Sequence, residues 1–310
     1  MNWTYLLILV LSTLLFVGGP DGYTNSIIQQ FWNVGHLLLF ACIVYFALLP
    51  FLLKNKSWLL AFCLVTVFCL GVGISIEAIQ HVIGRTYDTK DVVNDLYGGY
   101  LGLLIYIALH STATSTVTRF ATIPFIVVIL AIVLSPLVTA IEYRLAMEKA
   151  FPVLADFETS DEWTRWETNL ADVYVDEKRM RTGKKSMLVE FKPGEYPTIS
   201  LTDFPRDWEG FDSLDFSIFN PTALTTNIIL KIYDRQHTKS GYSYSDRFNR
   251  ELTLQAGWND FSILLKELQS APKDRLMELS DIASYSLFFH NLQKPTRISL
   301  DSLQLSNKNN

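Results

Sequence analysis

Cysteine is scarce in this chain. Cys42, Cys63 and Cys69 are the only three, all within apolar runs, and none lies beyond residue 69. That excludes a disulfide framework and zinc-finger spacing, and leaves the thiols as small packing residues. Charge is nearly missing from the first 143 positions. Only Lys54, Lys56, Arg85, Lys90 and Arg119 of the 26 basic residues fall there, with Asp21, Glu77, Asp88, Asp91, Asp95 and Glu142 of the 31 acids. No basic stripe occurs anywhere and the net charge is -5, so the sequence carries no nucleic-acid signature.

What the first half has instead is long apolar runs: Trp3–Val17, Phe31–Leu53, Trp58–Ile76, Val92–Leu109 and Phe120–Ile141. About 20 such residues cross a bilayer, so these predict a membrane α-helical bundle of about five transmembrane helices over residues 1–145. The first run is short and lacks a basic leader, and an uncleaved helix is preferred to a signal peptide. Counting crossings puts the loop between the third and fourth runs and everything after the fifth run on one membrane face, with His36 about one turn inside that face. Lys54, Lys56 and Arg119 in the opposite loops mark those loops as cytoplasmic, which makes the shared face extracytoplasmic.

Eight of the eleven charged residues of the first half fall on that face, six of them between Glu77 and Asp95. Glu77, Gln80 and His81 share a helical face at i, i+3 and i+4, and Asp91, Asn94 and Asp95 repeat the spacing at the start of the next helix. Thr89 or Asp88 can cap that helix. Gly98 and Gly102 then form a small-xxx-small pair that admits a close helix neighbour. Ionisable groups at such depth are functional suspects. Three readings stand. Arg85 pairs with Asp91 or Asp95 and merely ends two helices. His36, Glu77, Gln80, Arg85, Asp88, Asp91, Asn94 and Asp95 line a ligand pocket. Or His36, Glu77 and His81 hold a metal.

The residues Asn33-Val-Gly-His36, Glu77-Ala-Ile-Gln80, Gly84-Arg85, Asp88, Asp91-Val-Val-Asn94-Asp95 and Gly98-Gly99 resemble the VanZ-like family. The similarity covers about residues 1–110. The family's usual lysine before the histidine is replaced by Val34-Gly35. The resemblance implies a multi-pass protein of the bacterial cytoplasmic membrane, with an association with glycopeptide-antibiotic response, and supplies no reaction.

Beyond residue 145 short alternating runs replace the long ones. Ser186–Phe191, Thr198–Leu201, Ser213–Phe219, Asn227–Tyr233, Glu251–Leu254, Asp260–Leu264, Ser284–Phe289 and Arg297–Leu305 read as strands. Leu214, Phe216 and Ile218 alternate, as do Ile228, Leu230 and Ile232 against Ile229 and Lys231. Eight strands in this length predict an all-β sandwich of jelly-roll type over residues 146–310. Asp234, His237, Tyr242, Tyr244, Asp246, Arg247 and Asn249 concentrate aromatic faces and planar polar groups between two strands, the chemistry that sugar rings and hydroxyls need. A hydrogen-bonded loop explains them equally well. Trp163, Trp166 and Trp208 serve either as core or as ligand platforms.

This half resembles the galactose-binding-like, carbohydrate-binding-module sandwiches. The likeness rests on Asp156-Phe157-Glu158, Phe211-Asp212-Ser-Leu214, Asn220-Pro221, Asp246-Arg247-Phe248-Asn249, Gly257-Trp258-Asn259 and Leu300-Asp301-Ser-Leu303. It implies a structural calcium, for which Glu158 and Asp301 are the matching positions. The favoured expectation is therefore an envelope membrane protein whose extracytoplasmic sandwich binds a cell-wall or surface glycan. The rival is an intramembrane enzyme acting on a lipid-linked phosphate or glycan, with Arg85 holding the anion and Glu77, His81 or Asp91 moving protons. Transport is a third reading, weakened by the lack of an internal repeat.

Overall fold

A computed structural model of the chain describes residues 10, 12–13, 26–52, 58–82, 89–110 and 116–307. It divides into two compact units, Met1–Glu142 and Tyr143–Asn310. The helices are α1 (Ser26–Cys42), α2 (Trp58–Val82), α3 (Thr89–His110) and α4 (Thr116–Ala150). α1 runs on through a π-helical stretch, Ile43–Leu48, and one further turn, Leu49–Leu52. Pro50 lies just past the widened turn and has no N–H to donate back, which is where such a bulge relieves the helix.

Four helices among the described residues are long and apolar enough to cross a membrane: Ser26–Leu48, Leu59–Val82, Thr89–Leu109 and Phe120–Ala150. The predicted first segment, Trp3–Val17, lies outside the described residues except at positions 10, 12 and 13. Among the described residues Leu59, Val67, Phe125 and Val127 are exposed, the apolar exterior that lipid contact requires. Inside, Phe40, Val44, Val65, Cys69 and Leu103 form one apolar cluster, and Leu37, Ala41, Leu101 and Val133 another.

The second unit is an antiparallel β-sandwich. Its strands are β1 (Val153–Ala155), β2 (Trp166–Asn169), β3 (Ala171–Asp176), β4 (Ser186–Phe191), β5 (Thr198–Leu201), β6 (Ser213–Asn220), β7 (Thr226–Asp234), β8 (Phe248–Leu254), β9 (Gly257–Leu264), β10 (Ile282–Phe288) and β11 (Thr296–Ser306). One sheet has the order β3-β4-β11-β6-β9, with β1 also on β11; the other is β2-β5-β10-β7-β8. The eight predicted strands are present to within a few residues at their ends. The three additional ones precede them: β2 carries Glu167, Thr168 and Asn169 on an exposed edge, and β3 exposes Tyr174 and Val175, so neither alternates cleanly.

Alternation sets the core. Ile228, Leu230 and Ile232 of β7 face Leu214, Phe216 and Ile218 of β6 across the sandwich within a single apolar cluster that also holds Tyr285, Leu287, Leu300 and Leu303. Trp208 has no exposed surface and donates its indole N–H to the Pro205 carbonyl at 3.1 Å. Trp166 is buried in the same cluster and Trp163 packs against it, so these tryptophans are core and not platforms.

Candidate functional sites

In the helical unit the polar residues converge inside the bundle. His36 is fully buried; its Nδ1 lies 3.0 Å from Asp95 Oδ1, and its Nε2 lies 3.7 Å from Asp91 Oδ2. Asp91 and Asp95 are one turn apart on α3, so both carboxylates point at the same imidazole. Glu77 and Gln80 of α2 are also buried, and Glu77 is within electrostatic reach of His36 and Asp95.

Small residues make this convergence possible. A Cβ on Gly102 would come within 2.6 Å of the Ala41 carbonyl oxygen, and one on Gly98 would strike the Leu37 carbonyl. α3 therefore lies backbone to backbone against α1, the close approach that the small-xxx-small spacing predicts. Gly73 of α2 leaves room for the Asp95 carboxylate, since a Cβ there would sit 2.7 Å from Oδ2.

Some predicted members stand elsewhere. α1 is described from Ser26, which puts His36 ten residues along it, about 15 Å of rise at 1.5 Å per residue. His81 is exposed while Glu77 and Gln80 point inward, which removes it from the shared face. No group of three metal-ligating side chains gathers among the described residues, so His36, Glu77 and His81 do not form a metal site. Asn94 is only half-buried. Arg85 and Asp88 lie outside the described residues.

The sandwich has a cavity of about 520 Å³ lined by Tyr196, Thr198, Ile229, Lys231, Tyr244, Arg247, Phe288 and His290. Its floor is the outer side of the five-stranded sheet. Phe288 of β10 stands in register between Thr198 of β5 and Ile229 of β7, and Lys231 is the next outward residue along β7. Alternation dictates this, because the intervening residues Ile199, Leu230 and Leu287 fill the core. Tyr244 is 71 % exposed and Tyr196 47 % exposed, and they supply aromatic walls. Tyr196 also lies 5.2 Å, centroid to centroid, from the His290 ring.

Of the seven predicted glycan-contacting residues, Tyr244 and Arg247 line this cavity. Asp234 and His237 have no exposed surface and belong to a network centred on Arg275. The Arg275 guanidinium donates to Asp234 at 2.7 Å and to Asp246 at 2.6 and 3.0 Å, while Asp234 also accepts the backbone N–H groups of Glu278 and His237. Arg275 holds the Asp246 carboxyl down at about 2, helped by hydrogen bonds from Ser240 and His237. His237 itself is pushed below its ordinary value, by burial first. Tyr242 stands edge-on to the His237 ring at 5.6 Å. Asn249 pairs in register with Lys231 beside the cavity and is half-buried. Loop composition brought these residues into one group, but the fold assigns most of them to holding the loop in place.

Lys231, Phe288, Tyr196 and His290 were missing from that group. The alternation along β7 already pointed Ile229 and Lys231 outward. Nothing local marked Arg275, which lies 41 residues from Asp234 and 29 from Asp246.

Glu158 and Asp301 do not fit a calcium site. Glu158 accepts the backbone N–H groups of Lys184 at 2.6 Å and Lys185 at 2.9 Å, which hold its carboxyl low. Asp301 accepts those of Arg181 at 2.6 Å and Thr182 at 3.1 Å. Both carboxylates thus face N–H donors and pin one turn, Arg181–Lys185. A donor-rich surround is the reverse of what a cation needs.

Residues 3–110 match the VanZ/LLP1 family model, which makes that third of the chain VanZ-like. No curated protein matches the chain at a significant level. Among solved structures, the family 11 carbohydrate-binding module from Clostridium thermocellum in complex with a beta-1,3-1,4-mixed-linked tetrasaccharide aligns at 16 % identity, with a TM-score of 0.39. The alignment covers 50 % of this chain and 94 % of that one. An exo-beta-agarase aligns at 16 % identity and TM-score 0.41 over 51 % of this chain and 25 % of its own. The family 30 carbohydrate-binding module of a Clostridium thermocellum cellulosomal cellulase aligns at 12 % identity and TM-score 0.36, over 47 % and 88 %.

Proposed function

We propose that this is a bacterial cell-envelope membrane protein whose sandwich binds a glycan on the extracytoplasmic side of the cytoplasmic membrane. The observation that carries the reading is the cavity of about 520 Å³ on the outer side of the five-stranded sheet, walled by Tyr196, Tyr244 and Phe288. Flat apolar rings meet the CH faces of a pyranose, and Thr198, Lys231, Arg247 and His290 offer donors around them for hydroxyls. The size suits a few sugar units. The test is a glycan-array screen with the full chain in detergent, beside a Tyr196→Ala/Tyr244→Ala variant. Binding that the variant loses supports the site; binding that the variant keeps sinks it. A reporter fused after Asn310 that is active only in the cytoplasm would sink the orientation.

A second reading concerns the helical unit. A fully buried imidazole with a carboxylate at 3.0 Å is a proton-handling arrangement, which favours chemistry on a lipid-linked phosphate or glycan over a purely structural patch. His36→Gln should then abolish turnover in a chain that still inserts and folds. Unchanged turnover in that variant ends this reading.

A further inference from the structure

The cavity in the sandwich is unbalanced in charge. Two cations, Lys231 and Arg247, line it, and among the described residues no carboxylate does. Neither cation makes an ion pair among the described residues. The acids nearest in sequence are already committed, Asp234 and Asp246 both to Arg275. Glu251, on the same outward side of β8, is opposite Ile229 in register and does not line the cavity.

What the cations do contact is aromatic. Lys231 Nζ lies 5.6 Å from the Tyr233 ring centroid and 5.9 Å from that of Phe288, and the Arg247 guanidinium lies 5.2 Å from the Tyr244 ring. Such contacts offset part of the loss of water, by about 0.5–1 kcal/mol at exposed sites and more where dry. They do not cancel the repulsion between the two. Burial, and then the Arg247 charge, push Lys231 down to about 8. Arg247 is lowered too, by burial. Its Nε is buried with no hydrogen-bond partner. Two half-buried cations lining one cavity with no carboxylate beside them describe a site lacking its counter-charge.

We propose that the ligand of this cavity is an acidic glycan, with a carboxylate or sulfate held between Lys231 and Arg247 and its sugar ring against Tyr244 and Tyr196. The inference rests on the glycan reading given above and names the substrate class. An anion there would make charge-assisted hydrogen bonds to both cations and remove their mutual repulsion in one step. A neutral sugar would gain the stacking and leave the repulsion in place.

The test uses the full chain in detergent micelles and three probes of equal length, measured by titration calorimetry: an oligogalacturonate, a sulfated galactan oligosaccharide and the neutral galactan oligosaccharide. Tenfold or tighter binding of either acidic probe over the neutral one supports the proposal, and which of them wins identifies the anion. In the Lys231→Met/Arg247→Met variant that preference should vanish, with acidic and neutral probes binding alike and both more weakly than to the wild-type chain. Equal binding of acidic and neutral probes by the wild-type chain overturns the acidic assignment and leaves the glycan reading standing. An acidic preference that survives in the double variant places the anion elsewhere and also overturns it. Failure of all three probes, together with an empty glycan array, overturns both.

Discussion

His36 and Asp95 are 59 residues apart in the chain, and a 3.0 Å hydrogen bond joins them where neither side chain has appreciable exposed surface. Only the packing of α3 against α1 brings them together.

Removing His36 leaves the Asp95 carboxylate buried without that bond. His36→Ala should lower the unfolding free energy of the helical unit by roughly 1–3 kcal/mol or more, the cost of stranding a buried acceptor. The measurement is the thermal midpoint of the full chain in detergent. A midpoint equal to wild type would show that the pair does not support the bundle.

The α1–α3 approach makes a sharper prediction about glycine. Gly102→Val must displace the Ala41 carbonyl, whereas Gly35 has nothing within 4 Å of where its Cβ would be. Gly102→Val should abolish the monodisperse peak of the detergent-solubilised chain on size exclusion. Gly35→Ala should leave it intact. Equal behaviour of the two variants would contradict the packing described.

In the sandwich, Arg275→Met strips the cation from Asp234, a carboxylate with no exposed surface. Breaking such a pair from one side costs about 3–5 kcal/mol. Thermal unfolding of the sandwich transition should register that loss. A shift of less than about 1 kcal/mol would mean that the backbone donors of His237 and Glu278 suffice for Asp234.

The same network fixes an acid limit. The Asp246 carboxyl is lowered in the folded state to about 2 against an unfolded value near 3.8, so the unfolded chain binds more protons in that window. Its contribution is present above pH 3.8 and is lost as pH falls through about 2. Acid titration of the sandwich should show this slope, and Arg275→Met should flatten it. A slope that persists in the variant assigns it to other carboxylates.

Lys231 runs in the opposite direction. Its folded value, about 8, lies below its unfolded value of about 10.5, so the charged lysine opposes folding at neutral pH and the penalty lifts as pH rises from 8 to 10.5. Lys231→Met should raise the melting temperature at pH 7 and lose that advantage above pH 10.5. This is the stability cost expected of a binding residue. A lower melting temperature at pH 7 would show that the ammonium stabilises the free sheet.

Much of this protein was legible in its sequence, because solvent selects by periodicity. Four apolar runs specified four helices, and the strict alternation of β6 and β7 specified which residues fill the sandwich core. Gly98 and Gly102 announced a close helix contact before any partner was known. Tertiary structure alone decided the rest. It turned Glu77 and Gln80 inward and His81 out, because the inward side of a helix is set by its neighbours. It also divided the Asp234–Asn249 loop into residues that hold it, through a distant Arg275, and residues that face the cavity. It joined Lys231 and Phe288, from separate strands, and Tyr196, from the segment before β5, into one wall. Pairing between strands far apart in sequence obeys register, and register is not written in any single strand.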